Sequence, residues 1–388
     1  MKTIITPQNL LAISSRLAQE CASRAAQADK DGKLPEEDLR ALREVGYLAL
    51  SVPLEYGGAG LSLRECAAAQ VELARGSAAT ALVAAMQIQV FGHAREMRTW
   101  PEDAFARFCQ AAVREGALFN SVASEPDLGS PSRGARFRTT AVPAPGGDHF
   151  IVNGHKTWVT GGHHLTHLLV RVSIASQPAV LWMPNNLPGM TWLTTWRHAL
   201  SLRASESHDL RLENVVVPAE NLLERGAPKS QPPNLWFPAM LTAVYLGAAL
   251  AARDAAIRYA LERVPTALGR PIASLPSIQR QIGEIDLALQ AARALFFEAA
   301  SAWDGNEANR AHVMTRLTAA KCATLEAAAQ STEKALRLVG GQGLLDTLPV
   351  ERHFRDVRAG FMQPPAGDAA LESIGRAALE SAGQAASQ

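Results

Sequence analysis

Apolar residues recur at helical spacing in the first and last parts of the chain. Leu39, Leu42 and Val45 follow Pro35 and three acidic residues, and this order is typical of the start of a helix. Ala-rich helical sequence is expected from about residue 63 to 94, and another helix from about 312 to 338. A further long helix is predicted by an apolar stripe that steps by fours and threes, formed by Ile278, Ile282, Ile285, Leu289, Ala292 and Phe296.

Between about residues 117 and 225 the pattern changes to short, strand-like segments bounded by turn residues. Asn153-Gly154 predicts a tight hairpin between two of these segments, because both turn positions favour positive φ. Short strands joined by hairpins indicate an antiparallel sheet or barrel. No G-x-G-x-x-G follows a strand, which argues against a Rossmann nucleotide site. The predicted strands are 137–142, 149–152, 155–160, 168–174, 179–183 and 209–217.

The order of these elements predicts an α+β protein in three parts. An N-terminal helical domain is expected over residues 1–116 and a middle antiparallel β-barrel or sheet domain over 117–228. A C-terminal helical bundle is expected over 229–388. We expect one interdependent fold in three segments.

Composition narrows the classes of protein that the chain can belong to. It has 388 residues, 47% of them hydrophobic, and a formal net charge of +1. The apolar fraction supports a real core, and the charge argues against a general nucleic-acid binder. The longest apolar run, about residues 241–252, looks too short to span a membrane. Four widely spaced cysteines and no signal-peptide pattern favour a cytoplasmic enzyme with reduced thiols.

Five motifs occur along the chain in a fixed order. They are VPLEYGGAGLS (52–62), SEPDLGS (124–130), VNGHKTWVT (152–160), LRAS with VVVP (202–218), and LVGGQG with VER and RDVR (338–358). Together they resemble the acyl-CoA dehydrogenase family of flavoproteins over roughly residues 35–375. The resemblance implies that family's fold, with a helical N-terminal domain, a β domain and a C-terminal four-helix bundle, and it implies bound FAD.

The resemblance also assigns flavin contacts. Trp158 would form an aromatic wall for the flavin ring, and Thr160 would approach the central ring from the same face of the strand by alternation. Val159 lies between them in the flavin-contacting segment. A hydroxyl contact is implied for Ser124, and Ser121 occupies a nearby contact position that is often aromatic. Ser130 matches a position near the substrate's pantetheine or phosphate arm, and Gly340 and Gly341 would allow close approach of the FAD adenosine.

Several family positions carry unexpected residues. The two positions where relatives place the catalytic Glu read Phe237 and Pro364, and Pro238 replaces a CoA-contacting Arg. The loop that usually supplies an FAD-binding Arg reads PTALG (265–269). Arg337, or else Arg263 or Arg270, is the candidate to supply positive charge for the pyrophosphate.

Two reactions and one non-catalytic role are compatible with these departures. The first is dehydrogenation of an acyl-CoA or acyl-carrier thioester in fatty acid metabolism, with Asp368 as a weak candidate base and Glu372 one turn away. The second is monooxygenation by reduced FMN or FAD delivered by a flavin reductase; RASESHD (203–209) resembles a phrase of that branch. The third is a binding subunit. A homodimer or homotetramer is expected, and an electron-acceptor flavoprotein would serve the dehydrogenase.

Two other clusters are interpreted as structural. His163, His164 and His167 follow a Gly-Gly turn without a nearby acidic partner in sequence, which favours a solvated loop over a metal site. The RDVR segment with Arg352 is expected to form an ion-pair network. No metal ion is expected.

Overall fold

The computed structural model describes residues 5–127, 136–226, 234–305 and 310–386. Its N-terminal part is helical, as predicted. Gly46, at φ 75°, closes the helix that follows Pro35. The expected helix over 63–94 is two helices, because Ser77 is extended and its hydroxyl caps the second one at Thr80 N. The helices are α1 Leu10–Asp31, α2 Glu36–Glu44, α3 Leu63–Gly76, α4 Ala78–Met97 and α5 Glu102–Gln110, and a π-helical turn Ala111–Glu115 follows them.

The middle part is an eight-stranded mixed sheet in the order β6-β7-β3-β2-β4-β5-β8, with β1 paired to β4. Most pairs are antiparallel, as predicted, but β1 and β2 each run parallel to β4. The strands are β1 Phe119–Val122, β2 Thr140–Pro143, β3 His149–Val159, β4 His167–Ile174, β5 Gln177–Pro184, β6 Met190–Leu193, β7 His208–Pro218 and β8 Leu222–Arg225.

The predicted Asn153-Gly154 hairpin is wrong, because both residues lie inside the continuous strand β3. The Asn153 carboxamide accepts a hydrogen bond from the backbone N–H of Asn214 on β7, at 2.8 Å. A Cβ on Gly154 would lie 2.3 Å from the hydroxyl oxygen of Thr139. The pair therefore serves a β-bulge and a close approach between strands, which are the other common uses of such residues in strands.

The described residues of the C-terminal part form four long helices, as expected for the bundle, and one short helix. The apolar stripe lies on α7, where Ile285, Leu289, Ala292 and Phe296 are buried. The helices are α6 Trp236–Glu262, α7 Pro276–Gly305, α8 Arg310–Val339, the short α9 Val350–Asp356, and α10 Gly367–Ala386.

Helix α6 is the central helix of the molecule. It packs against α3 and α4 of the N-terminal part as well as α7 and α8. A Cβ on Gly247 would lie 2.3 Å from the carbonyl oxygen of Val71, and one on Gly92 would meet the ring of Trp236. The 27-residue helix is longer than the apolar run suggested and passes a length-and-composition test for a membrane span. However, 67% of its most apolar window is buried, so α6 is the core helix.

Candidate functional site

The end of strand β3 carries an exposed tryptophan in a strained backbone conformation. Trp158 has a φ of 56° and lies in a bulge where the register with β7 shifts between Lys156 and Val159. Left-handed φ costs a bulky residue about 1–3 kcal/mol and concentrates at functional sites. The Trp158 side chain is 61% exposed. Strained backbone therefore holds a flat apolar surface open to a ligand.

The expectation that Trp158 and Thr160 share a face by alternation is wrong. Thr160 is 6% exposed, because the bulge and the positive φ at Trp158 break the strand period. The Val159 side chain is in the core, so only its backbone can meet a ligand. The Thr160 carbonyl oxygen accepts from the Asn120 amide at 2.9 Å. The indole is therefore exposed, whereas the Thr160 side chain is almost fully buried.

A chain of buried hydroxyls continues inward from Thr160. Its Oγ1 lies 2.9 Å from Ser207 Oγ, which lies 2.8 Å from Ser205 Oγ. The backbone N–H of Gly161 donates to the Ser205 carbonyl oxygen at 3.0 Å. The segment after β3 is therefore fixed against the loop that precedes β7.

A buried ion pair holds the Ser124 segment against β3. Lys156 Nζ lies 2.7 Å from Glu125 Oε1 and also donates to the carbonyl oxygen of Arg171. Burial lowers the pKa of Lys156 to about 8 despite its anionic partner. Burial alone would raise the pKa of Glu125, but Lys156 lowers it below its usual value. The backbone N–H of Thr157 donates to the Ser124 carbonyl oxygen at 2.9 Å.

These residues fit a flavin. Ser121 on β1 and Ser124 after it are half-buried, so each hydroxyl can reach a ligand. Within the described ranges, Asn120 Oδ1 and Thr157 Oγ1 are buried without a hydrogen-bond partner, and such atoms commonly accompany a ligand or water. Trp158 lies on a segment that is hydrogen-bonded to Ser124 and Asn120, and an exposed indole in a segment with hydroxyl side chains suits a ring with apolar faces and a polar edge. Ser130 lies outside the described residues.

His163 is exposed, as expected for a solvated loop, but His164 and His167 are not. His164 Nε2 lies 3.0 Å from Glu206 Oε1, and His164 Nδ1 lies 3.1 Å from Glu36 Oε1. The hydrogen bond to Glu206 raises the pKa of His164. His167 stacks on Phe119, and burial lowers its pKa to about 4. In the part of the chain that the structure describes, no group of three or more His, Cys, Asp or Glu is placed to hold a metal.

The RDVR segment connects all three parts of the protein through the ion pairs of Arg355, which were expected, and a hydrogen bond of Asp356, whereas Arg358 lies over the ring of Phe354. Arg355 pairs with Asp29 on α1 at 2.6 Å and with Glu351 at 2.7 Å. Asp356 Oδ1 accepts from the backbone N–H of Leu202 in the middle part at 2.7 Å. Burial raises the pKa of Asp356 to about 6. The network anchors the loop that carries Ser205 and Ser207.

The proposed pyrophosphate and adenosine contacts lie on open surface. Arg337, in the last turn of α8, is exposed and pairs with Glu333 one turn away. Gly340, at φ 69°, ends the helix, and a Cβ on Gly340 or Gly341 would meet nothing within 4 Å. Arg263 and Arg270 are also exposed. The surface beside Gly340 is free for a ligand or another chain.

The two positions where relatives carry the catalytic Glu are occupied by Phe237 and Pro364, neither of which is a carboxylate. Phe237 lies three residues after Asn234, whose side-chain Oδ1 accepts from the backbone N–H of Phe237. The Gln363 side chain accepts from the Tyr245 hydroxyl, and Lys321 donates to the Gln363 and Pro365 carbonyl oxygens. Asp368 is exposed in the first turn of α10, where helix polarity favours an acid regardless of function.

Sequence reasoning missed three parts of this site, namely the Glu125–Lys156 pair, the Ser205–Ser207 chain and the Glu206–His164 pair. The pair members Glu125 and Lys156 belong to the second and third motifs, so the motifs contained the only available signal. The other contacts join segments about forty residues apart, and such pairing has no local pattern.

Comparisons with known proteins agree with this arrangement. The family models of the acyl-CoA dehydrogenase N-terminal, middle and C-terminal domains match residues 12–98, 121–215 and 239–362. The putative acyl-CoA dehydrogenase YdbM of Bacillus subtilis is 38% identical over 362 residues, covering 92% of this chain and 93% of that protein.

Two solved structures share the fold at 22% identity. One is butyryl-CoA dehydrogenase from Megasphaera elsdenii, with a TM-score of 0.84 over 96% of this chain and 98% of that one. The other is dibenzothiophene monooxygenase TdsC from Paenibacillus sp. A11-2, with a TM-score of 0.81 over 95% and 96%. Three matched domain models in family order, and a relative aligned over almost its whole length, establish that this chain belongs to the acyl-CoA dehydrogenase superfamily of flavoproteins.

Proposed function

We propose that the protein is an FAD-dependent dehydrogenase of an acyl thioester. The observation that carries the proposal is Trp158, whose exposed indole sits on a strained bulge two residues before Thr160, in a segment that is hydrogen-bonded to Ser124 and Asn120. When bound, the flavin would accept a hydride from the substrate's β carbon. The protein's own residues would hold the ring, exclude water and remove a proton from the α carbon.

The flavin-holding role divides among the residues by chemistry. Trp158 would cover one face of the ring, and the hydroxyls of Ser121, Ser124 and Thr160 would meet its polar edge. Arg337 would supply positive charge to the pyrophosphate, and Gly340 with Gly341 would allow close approach of the adenosine half.

The Trp158→Ala variant tests the flavin wall. We expect the flavin dissociation constant to rise on the order of ten-fold, because ring stacking and apolar contact are lost. We expect the melting temperature of the flavin-free protein to change little, since the side chain is largely exposed. Trp158→Phe keeps a flat ring and is expected to stay within about three-fold of wild type. Equal flavin affinity of Trp158→Ala and wild type would remove Trp158 from the site.

Asp368 is the candidate base, because it is the acid nearest in sequence to the position where many relatives place a Glu. If Asp368 removes the α proton, Asp368→Asn lowers kcat by at least about 100-fold without changing flavin content. Glu372→Gln, one helical turn further on, is the matched control and keeps wild-type turnover. Turnover of Asp368→Asn at the wild-type rate would assign the proton transfer to another group.

Monooxygenation by reduced flavin and oxygen is the second candidate. It is favoured by the residues at the two usual base positions, Phe237 and Pro364, because that reaction needs no α-proton base. The solved structures that share this fold include a dehydrogenase and a monooxygenase. Anaerobic mixing with a panel of acyl-CoA thioesters separates the two. Bleaching of the flavin absorbance supports the dehydrogenase, whereas a colourless protein that binds only reduced flavin supports the monooxygenase.

A further inference from the structure

The loop between β6 and β7 presents two serine hydroxyls to Thr160 through an unusual backbone path. Leu202 and Glu206, at φ values of 52° and 45°, flank the short helical turn Arg203–Ser205. Left-handed φ at two non-glycine residues four positions apart persists only where surrounding contacts impose it. The path therefore has a specific structural cause.

Buried carboxylates impose it from both sides. Asp356 accepts from the N–H of Leu202 at 2.7 Å. The side chain of Glu206 accepts from the N–H of Leu34 at 2.9 Å and pairs with His164. Ser205 lies between these two anchored positions and Ser207 directly follows the second; both are buried, with their hydroxyls 2.8 Å apart.

A hydroxyl can donate one hydrogen bond and accept others, so a chain of hydroxyls can reverse direction by rotation. Thr160 can accept from Ser207 and donate outward, or donate to Ser207 and accept from outside. The contact geometry allows either atom of each pair to be the donor. A Thr160 hydroxyl without Ser207 would keep only one of these options fully satisfied.

We propose that Ser207, supported by Ser205, is a positioning residue that lets Thr160 serve as donor to oxidised flavin and as acceptor from reduced flavin. The inference rests on the proposed function, in which Thr160 faces the central ring. Oxidised flavin has an acceptor nitrogen at N5, whereas two-electron-reduced flavin has an N–H there. With reduced flavin the Thr160 hydroxyl must therefore accept from N5 and donate its own hydrogen bond to another acceptor, and Ser207 Oγ is that acceptor.

The Ser207→Ala variant separates the two redox states. With oxidised flavin Thr160 still donates outward, so affinity stays within about two-fold of wild type. With reduced flavin the Thr160 proton is buried without an acceptor, and affinity falls about ten-fold. That ratio corresponds to a two-electron midpoint potential lower by about 30 mV.

Both quantities are measured anaerobically on the whole protein, by fluorescence titration with oxidised and reduced FAD and by equilibration with a reference dye. Ser51→Ala is the matched control, since it removes a buried serine hydroxyl that donates to the Ile88 carbonyl oxygen elsewhere, and it leaves the potential unchanged. Ser205→Ala lowers the midpoint potential by a smaller amount, and it tests the row of hydroxyls from Thr160 to Ser205 if Ser207→Ala does not fold.

The outcomes distinguish this inference from the function on which it rests. If Ser207→Ala weakens binding of both flavin forms equally, or leaves the midpoint potential unchanged, the proposed role of Ser207 is overturned and the flavoenzyme proposal still stands. A wild-type protein that binds neither flavin form overturns both. A lower midpoint potential in Ser207→Ala, together with the wild-type potential in Ser51→Ala, supports the proposed role of Ser207.

Discussion

The buried ion pair between Glu125 and Lys156 allows a quantitative test of the structure. In a Lys156→Met variant the apolar stem is retained, but Glu125 loses its cation and the Arg171 carbonyl oxygen loses a donor. Removing one partner of a buried pair typically costs 3–5 kcal/mol. Glu125 keeps backbone donors from Arg138 and Thr139, so we expect about 3 kcal/mol.

That loss is large enough to measure by thermal and urea unfolding. Average unfolding entropies give about 0.8 kcal/mol per degree for a chain of 388 residues. The melting temperature should therefore fall on the order of 4 °C. Tryptophan fluorescence follows the transition, and flavin content reports whether the Ser124 segment has moved.

A neighbouring exposed pair provides the control. Arg138 pairs with Asp127 at 2.7 Å, but the two side chains are 73% and 66% exposed. Arg138→Met should cost no more than about 1 kcal/mol. The double variant Glu125→Gln, Lys156→Met should recover part of the loss, because no unpaired charge remains buried. A Lys156→Met variant no less stable than Arg138→Met would refute the reasoning.

Two further predictions concern charge at other places in the molecule. Arg337→Ala should lose most of its bound FAD in an absorbance assay, whereas Arg280→Ala, which breaks a similar exposed one-turn pair on α7, should keep it; full retention by Arg337→Ala would exclude the pyrophosphate contact. His164→Gln should be less stable than wild type at about pH 6. Glu206 raises the pKa of His164 in the fold, so its stabilisation is complete below about 6.5 and is lost as the pH rises through the raised value. The difference in urea midpoint should therefore shrink by about pH 9, and a constant difference would contradict this.

The arrangement of the fold was readable from the sequence because burial imposes periodicity. The helix after Pro35, the α7 stripe and strands β4, β5 and β7 follow from apolar spacing alone. Apolar spacing gave no correct prediction where a residue's conformation depends on a neighbour that is distant in the sequence. Asn153-Gly154 has the composition of a turn, but its contacts with Asn214 and Thr139 belong to distant segments, so a local pattern misassigned it.

The site was predictable only as far as the family motifs extend. They indicate Trp158, Thr160 and Ser124 as candidate contacts, but alternation gave the wrong orientation for Thr160, because the bulge at Trp158 has no sequence signature. The acidic partners of His164 could not be found either, since Glu36 and Glu206 are far from it in the chain. Long-range charge pairing requires the fold to be known first.

The central position of α6 has a consequence for biosynthesis. The N-terminal helices α3 and α4 shape their facing surfaces around α6, down to the close approaches at Gly92 and Gly247. A ribosome must add well over a hundred residues after α4 before α6 emerges. Through that interval the apolar faces of α3 and α4 lack the helix that covers them in the fold. Exposed apolar surface of this kind favours aggregation and chaperone binding. The 27 residues of α6, which are mostly apolar, would be an aggregation-prone segment in any truncated product that exposes them.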